Sequence, residues 1–389
     1  MAQTAAHLVD RVFPDVCVRQ WVLTLPYPLR CRLAWEPSLC KEVLACFTME
    51  VHAFYAQQVS VTARTGSVTV VQFCGQDLRL NVHFHTLVVE GAYDWDEASE
   101  TLVFQPLPPP RTAEVQQLVD AIAQRVEGLL RARGLLDEDG DAQEEDPDDA
   151  LRLLQGLSAD GRALSGPRAG RKPRHLRGSP RQGRTRRLPP RTAQRGYFNL
   201  HADTSVAPRD REARERLCRY VARPPVSNER LSQDQQGNVV LSFKRAWDDG
   251  TNAVVLDPHT FLARLSALVA PPGFNRTRYH GVFAPNHAWR ADVVPLPPPA
   301  SPDAACGDEA PPVRLGGCKV QERTAQAGGP VRWTPWAQLL QRVLGVDGSA
   351  CPRCGWRMHL HAVVMGRALS RVLAGLEAAH GARAPPSAA

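Results

Sequence analysis

At 389 residues, 43% of them hydrophobic, the chain can form about two domains and bury a real core, which excludes global disorder. Its formal net charge of +7 favours a polyanionic partner without separating DNA from RNA or an anionic membrane surface. No stretch reaches the ~18 apolar residues of a membrane span, no charged-then-apolar leader opens the chain, and the ten cysteines are scattered apart from one CxxC. A soluble cytosolic protein is expected, not a secreted disulfide framework.

In chain order, "VRQWVLTLP" (18–26) alternates like a strand and is ended by "PYP". After Pro37, Leu39, Val43, Phe47, Val51 and Phe54 recur at helical steps. "SVTVVQF" and "LRLNVHFHTLVV" then read as two strands joined by a short turn around Gly75, Gln76 and Asp77. A second helix covers about 112–133, with Gly134 where a C-terminal cap belongs. Residues 137–149 carry nine acidic residues, and 161–196 carry eleven Arg and one Lys with no Asp or Glu. Such a segment buries too little apolar surface to order itself, so 137–196 is expected to be a flexible charged insertion around a short helical piece, "ALRLLQGL". "RGYFNLHADTSV" reads as a strand, and a helix follows from near Pro208 to Pro224 and Pro225. "VVLSFKRAW" and "AVVLDP" suggest strands, and "PHTFLARLSALV" a helix. Residues 291–330 read as a linker, and 331–389 as a helical region with Thr334 as N-cap, Pro335 at the first helical position, and a later helix in "GRALSRVLAGLEAA".

His83 and His85 lie two apart on one strand, and therefore on one face, with Asn81, Leu87 and Val89. Val82, Phe84, Thr86 and Val88 form the other face, so the strand is expected to be covered on both sides and central in its sheet. Two imidazoles so placed either hydrogen-bond inside the sheet or hold a divalent cation. Asn81 stands where a histidine-triad nucleotide hydrolase has its extra histidine, which disfavours that class.

On the helix ending near 222, Tyr220 falls at the edge of an apolar stripe of Ala213, Leu217 and Val221 and is expected to look toward the sheet. Arg216, Arg219 and Arg223 surround it in sequence, with Lys244 and Arg245 downstream. A rim tyrosine ordinarily packs. A tyrosine among arginines and opposite a metal-ligand pair can instead attack a phosphodiester whose flanking phosphates the cations hold.

"VRQWVLTLPYPLR", "NVHFHTLVVEGAY", "FNLHAD", "LCRYVARPPVSNERL", "YHGVFAPN" and "CPRCGWRM" occur in an order that resembles the rolling-circle transposases of the HUH endonuclease superfamily. More narrowly, the chain is similar to the transposases of insertion sequences associated with common regions, over about residues 8–365. The resemblance implies an α+β fold, an antiparallel sheet with packed helices, in a nuclease domain at 8–290. It implies a divalent metal (Mg²⁺ or Mn²⁺) on His83 and His85, with Gln72 or His201 as candidate third ligand. Tyr220 would cleave single-stranded DNA at insertion-sequence termini, leaving a 5′-phosphotyrosine, in the nucleoid of a bacterial cytoplasm. Two-tyrosine relatives carry their tyrosines four residues apart; here Arg216 and Pro224 occupy those places, so this is a single-tyrosine version. Relatives also carry a cysteine-rich zinc region before the first strand, whereas this chain starts almost at the strand, which keeps open a truncated remnant that only binds DNA. A small-phosphoester hydrolase is a third class that would need neither Tyr220 nor a basic surface.

"CPRCGWRM" looks like a zinc knuckle, with the thiolates of Cys351 and Cys354 on a tight turn closed by Gly355. Structural zinc needs four ligands, which His359 and His361, or Cys306 and Cys318, could complete. Two unrelated thiols are the alternative.

Overall fold

The computed structural model describes residues 1–136, 150–163, 169–178, 188–295, 336–348, 350–351, 354–356 and 358. The first half of the chain runs α1 (Ala2–Arg11), β1 (Val18–Thr24), α2 (Tyr27–Trp35), α3 (Pro37–Ala56), β2 (Gly66–Cys74), β3 (Leu80–Val89), β4 (Gly91–Asp96), β5 (Thr101–Pro106) and α4 (Thr112–Ala132). Then follow α5 (Ala150–Asp160), β6 (Arg174–Arg177), β7 (Thr192–Arg195), β8 (Phe198–His201), β9 (Ser205–Val206) and α6 (Arg211–Val221). The rest comprises β10 (Leu231–Gln233), β11 (Val239–Ser242), β12 (Thr251–Leu256), α7 (Pro258–Ala267), β13 (Thr277–Gly281), α8 (Arg290–Val293) and α9 (Trp336–Leu344).

This is an α+β fold around an antiparallel sheet of order β13-β2-β3-β1-β8-β7, with β9 also on β1. The histidine strand β3 lies between β1 and β2, where a strand apolar on both faces belongs. On one face Phe84 and Val88 join Trp21 and Leu23 of β1 under α3 and α4, with Phe84 stacked on Phe47 at 6.3 Å. On the other, Leu87 and Val89 join Val18, Val68 and Val70 under Leu8 of α1 and Leu217 and Val221 of α6. Each such side chain contributes about 1.5–3 kcal/mol when fully buried, which fixes the register of β3 and with it the face of both histidines.

Arg19 and Glu90, both almost fully buried, form an ion pair at 2.5 Å, and Arg19 also donates to the Ala202 carbonyl at 2.7 Å. That pair ties β1 to the end of β3 and to the segment after β8. Gly134 has φ +65°, and the Leu135 amide donates back to Leu130 at 2.9 Å, so the cap expected after α4 is present.

Of the charged segment 137–196, the described residues contribute regular elements. α5 is ordered, β6 pairs with β12 in a second antiparallel sheet of order β10-β11-β12-β6, and β7 is an edge of the main sheet. Arginine need not leave solvent to be ordered: β6 is an edge strand, and Arg174 and Arg177 stay exposed beside a paired backbone. The acidic run 137–149 lies outside the described residues. "RGYFNLHADTSV" is broken into β8 and β9, not one strand, because Ala202–Thr204 leaves the sheet line. α1, α2 and the β4–β5 hairpin are additions to the sequence reading.

The chain divides into two compact units with a boundary near residue 316. In the second, α9 occupies the expected helix; its N-cap at Thr334 and Pro335, the helix at 366–379 and most of the linker lie outside the described residues. Among the described residues, no helix is long and apolar enough to cross a membrane.

Candidate active site

Residues directly opposed across antiparallel strands share a face. One row across the sheet therefore reads Gln72, His83, Thr24, and the next Val70, His85, Val22, His201. One row further, Gln20 stands beside Leu87. The face is apolar where α1 and α6 cover it and turns polar at the His83 end. Helix α6 starts where Asp210 accepts a hydrogen bond from the Ala213 amide at 2.9 Å. Leu217, Cys218 and Val221 are buried against the sheet, which leaves Tyr220 at the edge of the stripe, 44% exposed. Its ring stands nearly perpendicular to that of His85, centroids 6.1 Å apart, and the His83 and His85 rings are 4.9 Å apart. Gln72 Nε2 donates to the Val221 carbonyl at 2.8 Å, pinning the end of α6 to β2 beside the histidines.

Both imidazoles are held below their ordinary pKa. Burial lowers His83 to about 4, assisted by Arg30 and Arg223 against the Asn81 hydrogen bond. Burial, then His83 and Arg223, lower His85 well below its ordinary value. The pair is neutral at pH 7, and its ring lone pairs are available. His83 Nδ1 lies 2.8 Å from the Asn81 backbone carbonyl, which only accepts, so Nδ1 carries the proton and Nε2 the lone pair. Gln20 Nε2 lies 2.6 Å from His85 Nδ1. As placed, that nitrogen donates to Nδ1 and leaves the His85 proton on Nε2; a half-turn of the carboxamide, which fills the same volume, puts its oxygen there and frees the Nε2 lone pair, the arrangement that orients metal-binding histidines.

These donors fit a divalent cation: two neutral imidazoles, with the Gln72 carboxamide across from His83. Among the described residues, no group of three or more His, Cys, Asp and Glu side chains converges. On the same face, Asn81 Oδ1 is buried without a hydrogen-bond partner. His201 stands beyond Val22 in the His85 row, with Nδ1 2.7 Å from the Thr192 hydroxyl, and does not line the cavity that holds the pair.

That cavity, about 1060 Å³, is open to solvent and lined by Gln72, Asn81, His83, His85 and Tyr220. Five cationic side chains join them, Arg223, Arg230, Lys244, Arg245 and Arg276, against one carboxylate, Glu229. Of the arginines singled out by sequence, Arg223 lies with its guanidinium 4.4 Å from the Tyr220 ring centre. Arg216 instead pairs with Glu212 on the exposed side of α6, and neither it nor Arg219 lines the cavity. Gln20, Arg230 and Arg276 are additions. Gln20 was legible as the polar interruption of an apolar strand face; Arg276 reaches the site only through the pairing of β13 with β2.

In the second unit, the Cys351 amide donates to Trp356 and the Gly355 amide to Cys351, both at 2.8 Å, which closes the expected tight turn. Cys354 is exposed. The candidate partners His359, His361, Cys306 and Cys318 lie outside the described residues.

Comparison with curated proteins and with solved structures finds no match for this chain. Residues 66–290, more than half of it and including His83, His85 and Tyr220, match the family model described as Putative transposase. The chain belongs to that transposase family.

Proposed function

We propose that this transposase is of the rolling-circle, HUH endonuclease type, and cleaves and rejoins single-stranded DNA at insertion-sequence ends through Tyr220. The observation that supports it best is the convergence of Tyr220, from α6, on the paired imidazoles of β3 inside one arginine-lined cavity. The strand's phosphates are held by Arg223, Arg230 and Arg276, with Lys244 and Arg245 at the mouth. His83, His85 and the Gln72 oxygen would hold a divalent cation, which would supply Lewis-acid polarisation of the phosphate. Tyr220 Oη forms the new bond to phosphorus as the bond to the 3′-oxygen breaks. The phenolic proton passes to water, the 3′-oxygen takes one up, and the 5′-phosphate stays on Tyr220. The phosphotyrosine conserves the phosphodiester's energy, so a 3′-hydroxyl can attack it and rejoin a strand without a further energy source. Arg223 over the Tyr220 ring holds the nucleophile beside the phosphate it attacks.

Tyr220→Phe keeps the ring packing and removes the hydroxyl alone. Wild type incubated with Mn²⁺ and labelled single-stranded terminus DNA should form a denaturant-resistant adduct on Tyr220, and the variant none. An adduct on Tyr197, 80% exposed before β8, or on Tyr279 of β13 would move the nucleophile. A wild type that binds the strand and never forms an adduct would be a DNA-binding remnant.

A further inference from the structure

Next to the His83 end of the large cavity lies a smaller one, about 240 Å³, which shares Gly75, Gln76 and Asn81 with it. It is below the ~300–1,000 Å³ of a drug-sized pocket, room for one planar ring system and not for a length of chain. Two aromatic residues, Tyr27 at the start of α2 and Trp247 in the turn between β11 and β12, line it. The Trp247 ring is backed by Phe243 at 5.1 Å and His175 at 5.3 Å, and its turn is fixed by backbone hydrogen bonds between Trp247 and Thr251 and between Gly250 and Trp247. The Arg79 guanidinium lies 5.8 Å from the Trp247 ring centre and pairs with Asp77. Tyr27 donates its hydroxyl to Asp160, and burial followed by that carboxylate raises its pKa. Tyr27 therefore serves here as a wall, not as a second nucleophile.

The small volume and the aromatic walls favour a flat ring over a length of backbone. Asp77, 4% exposed, is neutralised by its pair with Arg79, and Arg30 also lines the cavity. Asn81 Oδ1 is buried and has no hydrogen-bond partner. One unpartnered acceptor between aromatic walls suits a ring that offers an N–H donor on its edge, as adenine, cytosine and guanine do. Asn81 precedes His83 by two residues of β3, about 7 Å at ~3.4 Å per residue, so an occupant would belong to a nucleotide adjoining the phosphate at Tyr220.

We propose that the cavity between Tyr27, Trp247 and Asn81 is a nucleobase subsite, which holds a base with an N–H donor edge from a nucleotide next to the scissile phosphate. It rests on the single-strand reading above. It gives this transposase a base preference read by its own side chains, in addition to the sequence-blind grip of the arginines.

The test is a binding selection followed by an abasic substitution. Full-length Tyr220→Phe protein, unable to cleave, selects from a randomised single-stranded DNA pool in EDTA, and the retained strands are sequenced. One position should prefer a base with a donor edge, and Trp247→Ala added to the same protein should erase the preference there only. An abasic site at that position should weaken binding by roughly tenfold, within what stacking of one base contributes, and should weaken the Trp247→Ala protein no further. Trp247→Phe, which keeps an aromatic wall, should retain most of the discrimination and guards against a misfolded alanine variant. No base preference, or a Trp247→Ala protein that still separates intact from abasic strands, overturns the subsite. Failure of the single-strand cleavage reading looks different: strands are bound and discriminated, yet wild type forms no Tyr220 adduct. Absence of any binding to single strands overturns both.

Discussion

Gln20 decides which nitrogen His85 offers to the cavity. If its amide oxygen accepts from Nδ1–H, the Nε2 lone pair is free; if its amide nitrogen donates, the proton moves to Nε2 and the ligand is lost. Gln20→Leu keeps the buried volume and removes that control. Calorimetry without DNA should show Mn²⁺ affinity reduced roughly 10–100-fold, and unchanged affinity would deny Gln20 an orienting role. A second histidine pair is set up differently. His52 Nε2 lies 2.7 Å from the Ser67 hydroxyl, the His52 and His280 ring centres are 6.5 Å apart, and His280 Nε2 is buried without a hydrogen-bond partner. Burial, then the His280 charge, lowers His52 to about 3, and burial, then Arg278, lowers His280 to about 4. Above pH 6.5 both are neutral folded or unfolded and add no slope. Between about pH 6.5 and 4 the unfolded chain takes up protons that the folded chain refuses, so stability falls with pH, by at most about 1.4 kcal/mol per unit for each histidine. Urea midpoints from pH 7.5 to 5 should drop less steeply in His280→Phe than in wild type. Parallel curves would show that this pair does not govern the acid limb.

At the scale of elements, α6 has one job that its composition does not advertise: it must end with Tyr220 over the histidine strand. Asp210 starts it, three apolar side chains dock it, and Gln72 holds its last carbonyl. Asp210→Ala should cost about 1 kcal/mol in urea unfolding and speed amide exchange at the start of α6, while Asp210→Asn keeps the cap. Equal stability of the alanine variant would show that docking alone places the helix. What was legible in the chain follows the same division. α3, α4, β2 and β3 announce themselves because each buries a continuous apolar stripe whose period local sequence records. β6 does not: "RHLR" has one apolar residue, and only pairing with β12, more than seventy residues on, makes it a strand. The site divides likewise. His83, His85 and Tyr220 stood out as chemistry carried by single elements, whereas Arg230, Arg276 and the Tyr27–Trp247 cavity exist only once distant segments meet.

For the whole molecule, the net charge of +7 matters less than where the cations sit. Most ion pairs of the described residues lie on surfaces where an exposed pair contributes little, as Arg216 does with Glu212. The five cations of the cavity face one carboxylate, so the field there is concentrated where a strand would run. Binding to single strands should therefore weaken with salt, by about 0.7 in the logarithmic slope for each phosphate neutralised. Arg276→Ala should flatten that slope by roughly this amount and weaken binding alike for every sequence, because a phosphate contact carries no base information. Arg216→Ala, changed on the outer side of α6, should leave both slope and affinity within error. The arginine-rich segment 161–196 is the competing source of affinity. If it dominated, both variants would keep the wild-type slope, and the cavity would have to be filled by something other than a phosphate backbone. A slope that falls in Arg276→Ala and Arg230→Ala but not in Arg216→Ala would put the strand in the same cavity as Tyr220, where its phosphorus can be reached.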